Sequence, residues 1–238
     1  GAGYSEAVLT GVHLGSFGHD QGDPRGIETL VNAILRETDL PRLRLSSLEP
    51  WDLDPDFFRL WDSPRLCRHL HLPLQSGSDR TLRRMLRRTT QAGFGALVEA
   101  ARDVAPDMAI TTDVIVGFPG ETDADYEDSA AFVEAMDFAA LHVFPYSART
   151  GTAAARMKQH VRSEIRNARA ARLLAHSAIQ AEKFARRFGG QARPVLWEHV
   201  TGATQDGFLN VGYTDNYVRV ACVYPRSLTG TVISARLD

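Results

Sequence analysis

Cysteine is nearly absent: the 238 residues contain two, Cys67 and Cys222. Two scattered thiols cannot build a disulfide framework, and this chain alone cannot assemble a Cys-based metal or iron–sulfur site. They suit a reducing, cytoplasmic setting, where each would be a small buried hydrophobe. Long apolar runs are also missing. None approaches 18 residues, which excludes a membrane-spanning helix. Gly1–Thr10 lacks a basic segment followed by a long apolar core, so no signal peptide is expected. It also has no initiator Met and runs almost at once into a strand-like segment, which reads as a truncated chain. An excess of one charge is absent as well. The 27 Lys and Arg and 29 Asp and Glu leave a net charge of −2, which excludes a globally basic nucleic-acid protein. What remains is ordinary globular composition, 44% hydrophobic and 24% charged, on a chain long enough to bury a core,.

Five apolar, β-rich segments recur as far as position 147: Ala7–Val12, Leu43–Leu48, His69–Leu74, Ala109–Phe118 and Phe138–Tyr146. Helical patterns lie between them at Ile27–Arg36, Ser78–Leu86, Gly95–Val104 and Ala124–Met136,. Alternating strands and helices predict a parallel α/β domain, and five such units suit a barrel or part of one. From Arg156 to Arg193 the texture changes: ten Lys or Arg stand against two acids, Glu164 and Glu182. The interspersed Leu173, Leu174, Ile179, Phe184 and Phe188 predict a basic amphipathic helix stopped by Gly189-Gly190. That segment carries +8, so the rest of the chain carries −10 and the near-neutral total conceals a polarised molecule. After Gly190 come four short alternating strands, with turns at Asp206-Gly207 and Thr214-Asp215-Asn216, as in a small oligonucleotide-binding barrel. The expected division is therefore 1–155, 156–190 and 191–238.

Polar and glycine residues collect where the five strands end, as an active site at the C-terminal face of a barrel requires. The ends carry Gly11 and His13; Glu49 before Pro50; Gln75 and Ser76; Gly117 and Gly120 after Val116; and Phe144 through Arg149. The run Thr111–Thr122 is either a ligand-binding turn, where glycine admits close backbone approach, or a tight βα turn capped by Thr122 or Asp123. His69 and His71 face one side of a strand and could be half of a metal site, with no third ligand evident in sequence. No Ser/His/Asp or paired-carboxylate arrangement stands out, which disfavours ordinary hydrolysis. Arg83, Arg84, Arg87 and Arg88 form a second basic run beside the Gln75 strand end.

The segments TGVHLGSFG (10–18), LRLSSLEP (43–50), HLHLPLQSGSDRTLRRM (69–85), TTDVIVGFPGET (111–122) and FPYSARTGTAAA (144–155) resemble the methylthiotransferase family. These are radical S-adenosylmethionine enzymes with a C-terminal TRAM domain, and the likeness runs from about residue 7 to the end. TGVHLGSFG and LSSLEP look most like the branch that methylthiolates N6-threonylcarbamoyladenosine in tRNA. The resemblance implies a partial, TIM-like (β/α) barrel, with five of six strands present, and a small all-β, OB-like TRAM barrel. It places S-adenosylmethionine against Gly11, His13, Glu49, Gln75, Ser76, Val116, Gly117, Gly120 and Phe144. It implies [4Fe–4S] clusters whose Cys-x3-Cys-x2-Cys motif and N-terminal domain are expected before Gly1. Without them this chain is expected to be inactive and unable to generate a radical. In the intact enzyme a reductive step draws on an electron donor, and the partner is the tRNA anticodon arm.

For RNA the candidate residues are Arg84, Arg87, Arg149, Lys183, Arg186, Arg187, Tyr213, Asn216, Tyr217 and Arg219. The basic helix is either a phosphate-tracking surface or a solvated face. Tyr213 and Tyr217 either stack on bases or fill the small barrel. The alternatives are a non-catalytic RNA-binding module and the isopentenyladenosine or ribosomal-protein branches of the same family.

Overall fold

In the computed structural model, which describes residues 3–238, the five expected strands form and all run parallel. They are β1 (Glu6–Leu9), β2 (Arg42–Leu45), β3 (His69–His71), β4 (Ala109–Val116) and β5 (Ala140–Pro145). The intervening helices are α1 (Gly26–Glu37), α2 (Asp79–Arg84), α3 (Gln91–Val104) and α4 (Asp123–Ala135). β1 pairs with β2, and β3, β4 and β5 form a second ladder. Isolated parallel bridges, Leu43 to Leu66 and Ser47 to His71, join the two, so the strands lie in chain order around an open arc. β3 is shorter than its apolar pattern because Pro73 has no N–H to give the ladder. Pairing resumes beyond it, where the Gln75 N–H donates to the Asp113 carbonyl at 2.8 Å.

Leu43, Leu45, Leu70, Leu72, Val114 and Val116 meet Val31, Phe94, Val133 and Phe138 in the main core, between strands and helices. Two 3-10 turns absent from the sequence reading, Pro50–Asp52 and Pro55–Asp62, add Phe57, Phe58 and Trp61 to it. Asp54 caps the longer one by accepting from the Phe57 N–H, and Pro55 starts it,. Thr122 caps α4 in a reciprocal capping box with Asp125, so the local part of the βα-turn reading holds,.

After the short α5 (Ala153–Arg156), the basic segment is helical over α6 (Ser163–Arg186). α6 runs down the outside of β5: Tyr126 Oη donates to the Arg169 carbonyl near its start, and Ser177 Oγ accepts from the Leu141 N–H lower down. The C-terminal strands are β6 (Ala192–Thr204), β7 (Gly207–Thr214), β8 (Arg219–Tyr224) and β9 (Val232–Arg236). They form one antiparallel sheet in the order β8-β7-β6-β9. Bulges in β6 bend the sheet,. Val220 and Cys222 of β8 and Ala235 of β9 thereby pack around Val195, Trp197 and Leu228. No β8–β9 ladder closes the sheet among the described residues. No helix there is long and apolar enough to cross a membrane.

Candidate functional site

At the C-terminal ends of β4 and β5 lies a cleft of about 440 Å³, lined by Gln75, Asp113, Ile115, Phe118, Phe144, Tyr146, Arg149 and Thr152 among others. Gln75 is 9% exposed and sits at φ +70°, a left-handed conformation that a non-glycine residue adopts at a cost,. Its backbone is clamped there: Gln75 receives and gives hydrogen bonds across β4, to the Asp113 carbonyl and from the Ile115 N–H, each at 2.8 Å. Ser76 is buried, and its Oγ accepts from the Ser78 N–H, so it shapes the turn. Tyr146, on the cleft wall, keeps a buried hydroxyl without a protein partner.

Val116 ends β4, and Gly117 turns away at φ +72°. A Cβ on Gly117 would collide with the Arg166 methylenes, which α6 lays over the turn. Arg166 is anchored by donating to the Tyr146 carbonyl at 2.7 Å. The Gly117 N–H donates to Glu121 Oε1 at 2.8 Å, and Arg169 joins Glu121 to Asp123 at 2.5 and 2.6 Å. Burial pushes the Glu121 carboxyl above its ordinary pKa, against the opposing pull of the Gly117 N–H and Arg169,. Gly120, at φ +80°, lies beside Arg84, which pairs with Asp125 at 3.1 Å.

Gly11, His13 and Glu49 lie at the same end of the arc, past β1 and β2, and do not line this cleft. Gly11 and His13 are exposed, and His13 Nε2 pairs with Asp52 at 2.8 Å. Glu49 keeps one carboxylate oxygen buried without a protein partner.

The ten candidate RNA contacts divide between two ends. Arg84, Arg87 and Arg149 stand near the cleft. Lys183, Arg186 and Arg187 lie at the opposite end, where α6 finishes. There Lys183 pairs with Asp137 at 2.8 Å, Arg186 with Glu182 at 2.5 Å, and Arg187 donates to the Pro106 carbonyl at 2.8 Å. Arg172 pairs with Glu127 at 2.7 Å. Part of the helix's charge is thus paired within the molecule, Arg169, Arg172 and Lys183 with acids of the domain beneath it and Arg186 with Glu182 of the helix itself. A continuous phosphate-tracking face along α6 is not what the structure shows.

The β7–β8 turn also differs from its expected role. Asn216 is fully buried: its amide donates to the Asp107 carbonyl at 3.0 Å and its oxygen accepts from Thr214 Oγ1 at 2.6 Å. That burial removes it from any RNA-facing surface. Tyr217 stacks on His69 and Tyr213, centroids 4.6 and 4.9 Å apart, with the Arg44 guanidinium 4.8 Å from its ring. Tyr217 thus makes contacts within the chain while remaining 49% exposed. Arg219 remains exposed on the β8 edge. Arg42 and Arg44 hold this turn by donating to the Tyr213, Thr214 and Asp215 carbonyls, while both pair with Glu6.

Sequence reasoning missed one group. His71, Asp113 and His142, from three adjacent strands, meet inside the arc: His71 Nε2 and His142 Nδ1 lie 3.4 and 3.9 Å from Asp113 Oδ1. The period-two pattern that paired His69 with His71 also aligns Thr111 with Asp113 and His142 with Phe144,.

A family model for the radical SAM superfamily matches residues 9–133. The chain is 36% identical over 237 residues to "Threonylcarbamoyladenosine tRNA methylthiotransferase MtaB" of Bacillus subtilis (strain 168), covering 99% of this chain and 52% of that protein. It is 38% identical over 218 residues to the protein of the same name from Thermotoga maritima, covering 91% and 49%. It is 34% identical to "tRNA-2-methylthio-N(6)-dimethylallyladenosine synthase" of Acetivibrio thermocellus, covering 99% and 49%. The chain therefore spans about half the length of these curated relatives. Among solved structures the fold resembles coproporphyrinogen III oxidase (HemN) from Escherichia coli, described as a radical SAM enzyme. The TM-score is 0.60 at 15% identity, over 89% of this chain and 54% of that one.

Proposed function

The chain belongs to the radical SAM superfamily and to its methylthiotransferase family, and from that premise we propose that it forms the cofactor cleft of an enzyme that methylthiolates C2 of N6-threonylcarbamoyladenosine at tRNA position 37. The observation that carries the reading is Gln75, a non-glycine residue held at positive φ on the wall of a cleft at the strand ends. Strain of this kind persists where a site needs it. The relatives' names supply the reaction.

The residues present fit S-adenosylmethionine. Gln75 and Phe144 offer a polar group and a ring on the cleft wall, while the space that Gly117 leaves free is taken by the Arg166 methylenes. Glu49, with its unpartnered oxygen, suits the cofactor's ammonium end near Gly11 and His13. Bound there, the cofactor supplies a transferable methyl group and a source of radical chemistry. The protein's own work is to orient it, through the Gln75 clamp and the Arg166–Tyr146 lid over Gly117, and to shield the cleft from water. The thiols do not fit a [4Fe–4S] cluster. Burial pushes Cys67 up to about 11, Cys222 lies in the C-terminal sheet, and no three ligands converge among the described residues. Cluster thiolates are therefore not supplied by these two side chains.

For tRNA, the supporting surface is the cleft mouth. Arg149 lines it, and Arg87, Arg156, Lys158 and Arg162 form no ion pair among the described residues. Calorimetry should show saturable S-adenosylmethionine binding to the chain. Gln75→Gly should weaken it about tenfold while leaving stability within about 1 kcal/mol, since relieved strain offsets added chain entropy. Loss of affinity and fold together would argue for scaffolding alone. tRNA should bind weakly, with affinity falling steeply with salt; a curve flat between low and moderate salt argues against RNA. Nucleoside mass spectrometry of tRNA from a deletion strain separates threonylcarbamoyladenosine from the dimethylallyladenosine substrate suggested by the second relative's name.

A further inference from the structure

Next to the cleft, the inner face of the arc carries a second, open hollow of about 560 Å³, within the range of ligand sites,. Asp113 and Phe144 line both spaces. The register explains this: Asp113 lies opposite His142 and Ile115 opposite Phe144, so all four side chains share one face of the sheet,.

Asp113 is held for use. His71 and His142 approach its Oδ1, and His71 is itself fixed by Nδ1 against Thr111 Oγ1 at 3.0 Å. No protein group is bonded to Oδ2 among the described residues. The His71 hydrogen bond, together with the His71 and His142 charges, holds the carboxyl below its ordinary range although burial opposes them, so at neutral pH it is an acceptor,. Phe144, 49% exposed, offers a bare aromatic face beside it.

A carboxylate acceptor next to an open aromatic face suits a flat heterocycle that presents an N–H. Resting on the reading of the chain as part of a tRNA-adenosine-modifying enzyme, we infer that Asp113 determines base specificity. It accepts the one N–H that the carbamoyl group leaves on the exocyclic nitrogen of the acceptor adenine, stacked on Phe144, with His71 and His142 as positioning residues. A base with a carbonyl at that place sets oxygen against carboxylate and is rejected.

The test uses the whole chain and two anticodon-arm RNA hairpins that differ only by adenosine or inosine at the acceptor position. The adenosine hairpin should bind about tenfold tighter. In Asp113→Asn, whose amide can donate to the inosine carbonyl, the preference should collapse or reverse. Phe144→Ala, at a half-exposed site, should weaken both hairpins and keep the ratio, and it tests the site even if the Asp113 variant fails to fold. Equal affinity of the wild-type chain for both hairpins overturns the proposal while leaving the tRNA reading intact, as does an unchanged ratio in a folded Asp113→Asn chain. If neither of these hairpins nor one carrying N6-threonylcarbamoyladenosine binds, the tRNA reading fails and takes the proposal with it.

Discussion

Burial drives the His69 pKa down to about 3, with the Arg44 charge adding to the effect. In the unfolded chain the same ring titrates at about 6.5. As pH falls, the unfolded state therefore takes up this proton first, and the folded state is penalised between about 6.5 and 3, by up to about 1.4 kcal/mol per pH unit. Urea unfolding at pH 7, 5.5 and 4.5 should show a steady loss of stability, and His69→Gln should flatten it. Above pH 4.5 the raised Glu121 carboxyl acts in the opposite sense, gaining stability as pH falls,. Glu6 and Asp113, held below the ordinary carboxylate range, lose their contribution only at lower pH. For Glu6, burial is outweighed by its hydrogen bond to Arg44 and by the Arg44 and Arg42 charges.

At the scale of the element, α6 is a basic helix whose charge is turned inward. Its buried Arg169 holds Glu121 under the Gly117 turn. The Glu121 pKa is raised, so this carboxyl favours the fold while protonated and opposes it as pH rises through its folded value,. The pair is therefore an orienting device more than a source of stability. Arg169→Met should cost about 3–5 kcal/mol by leaving a buried carboxylate uncompensated. Adding Glu121→Gln should recover most of that loss, because a neutral amide can still accept from the Gly117 N–H. Denaturant unfolding of the two single variants and the double variant closes the cycle. Additive losses would show that the two side chains act independently.

For the whole molecule, the decisive contact is the β7–β8 turn seated on the lower end of the arc. Arg42 and Arg44, both under 7% exposed, link Glu6 of β1 to three carbonyls of that turn. Arg193 and Arg68 add bonds through Asp107 and Asp215. Asn216→Ala strips two buried hydrogen bonds and should cost about 2–3 kcal/mol. Salt-dependent tRNA binding by the folded variant should match wild type. A selective loss of RNA affinity would return Asn216 to the binding surface.

The five parallel strands, their helices, the Thr122 cap and the glycine turn after Val116 were legible in sequence, because each rests on local periodicity or turn chemistry. The period-two pattern also put the polar strand ends in one place. Three features were not legible. The 3-10 turns over Pro50–Asp62 carry no simple period. The fate of the α6 charges depended on which acids the fold brought under Arg169, Arg172 and Lys183. The destiny of Asn216 and Tyr217 was set by Arg42, Arg44 and His69, well over a hundred residues away. Sequence alone therefore determined the alternation of elements and the end of the barrel where polar groups gather, since hydrophobic period and backbone propensity are local. Only the tertiary structure decided which charges are spent inside the molecule and which face a ligand, since ion pairing and burial are set by neighbours the chain order does not disclose.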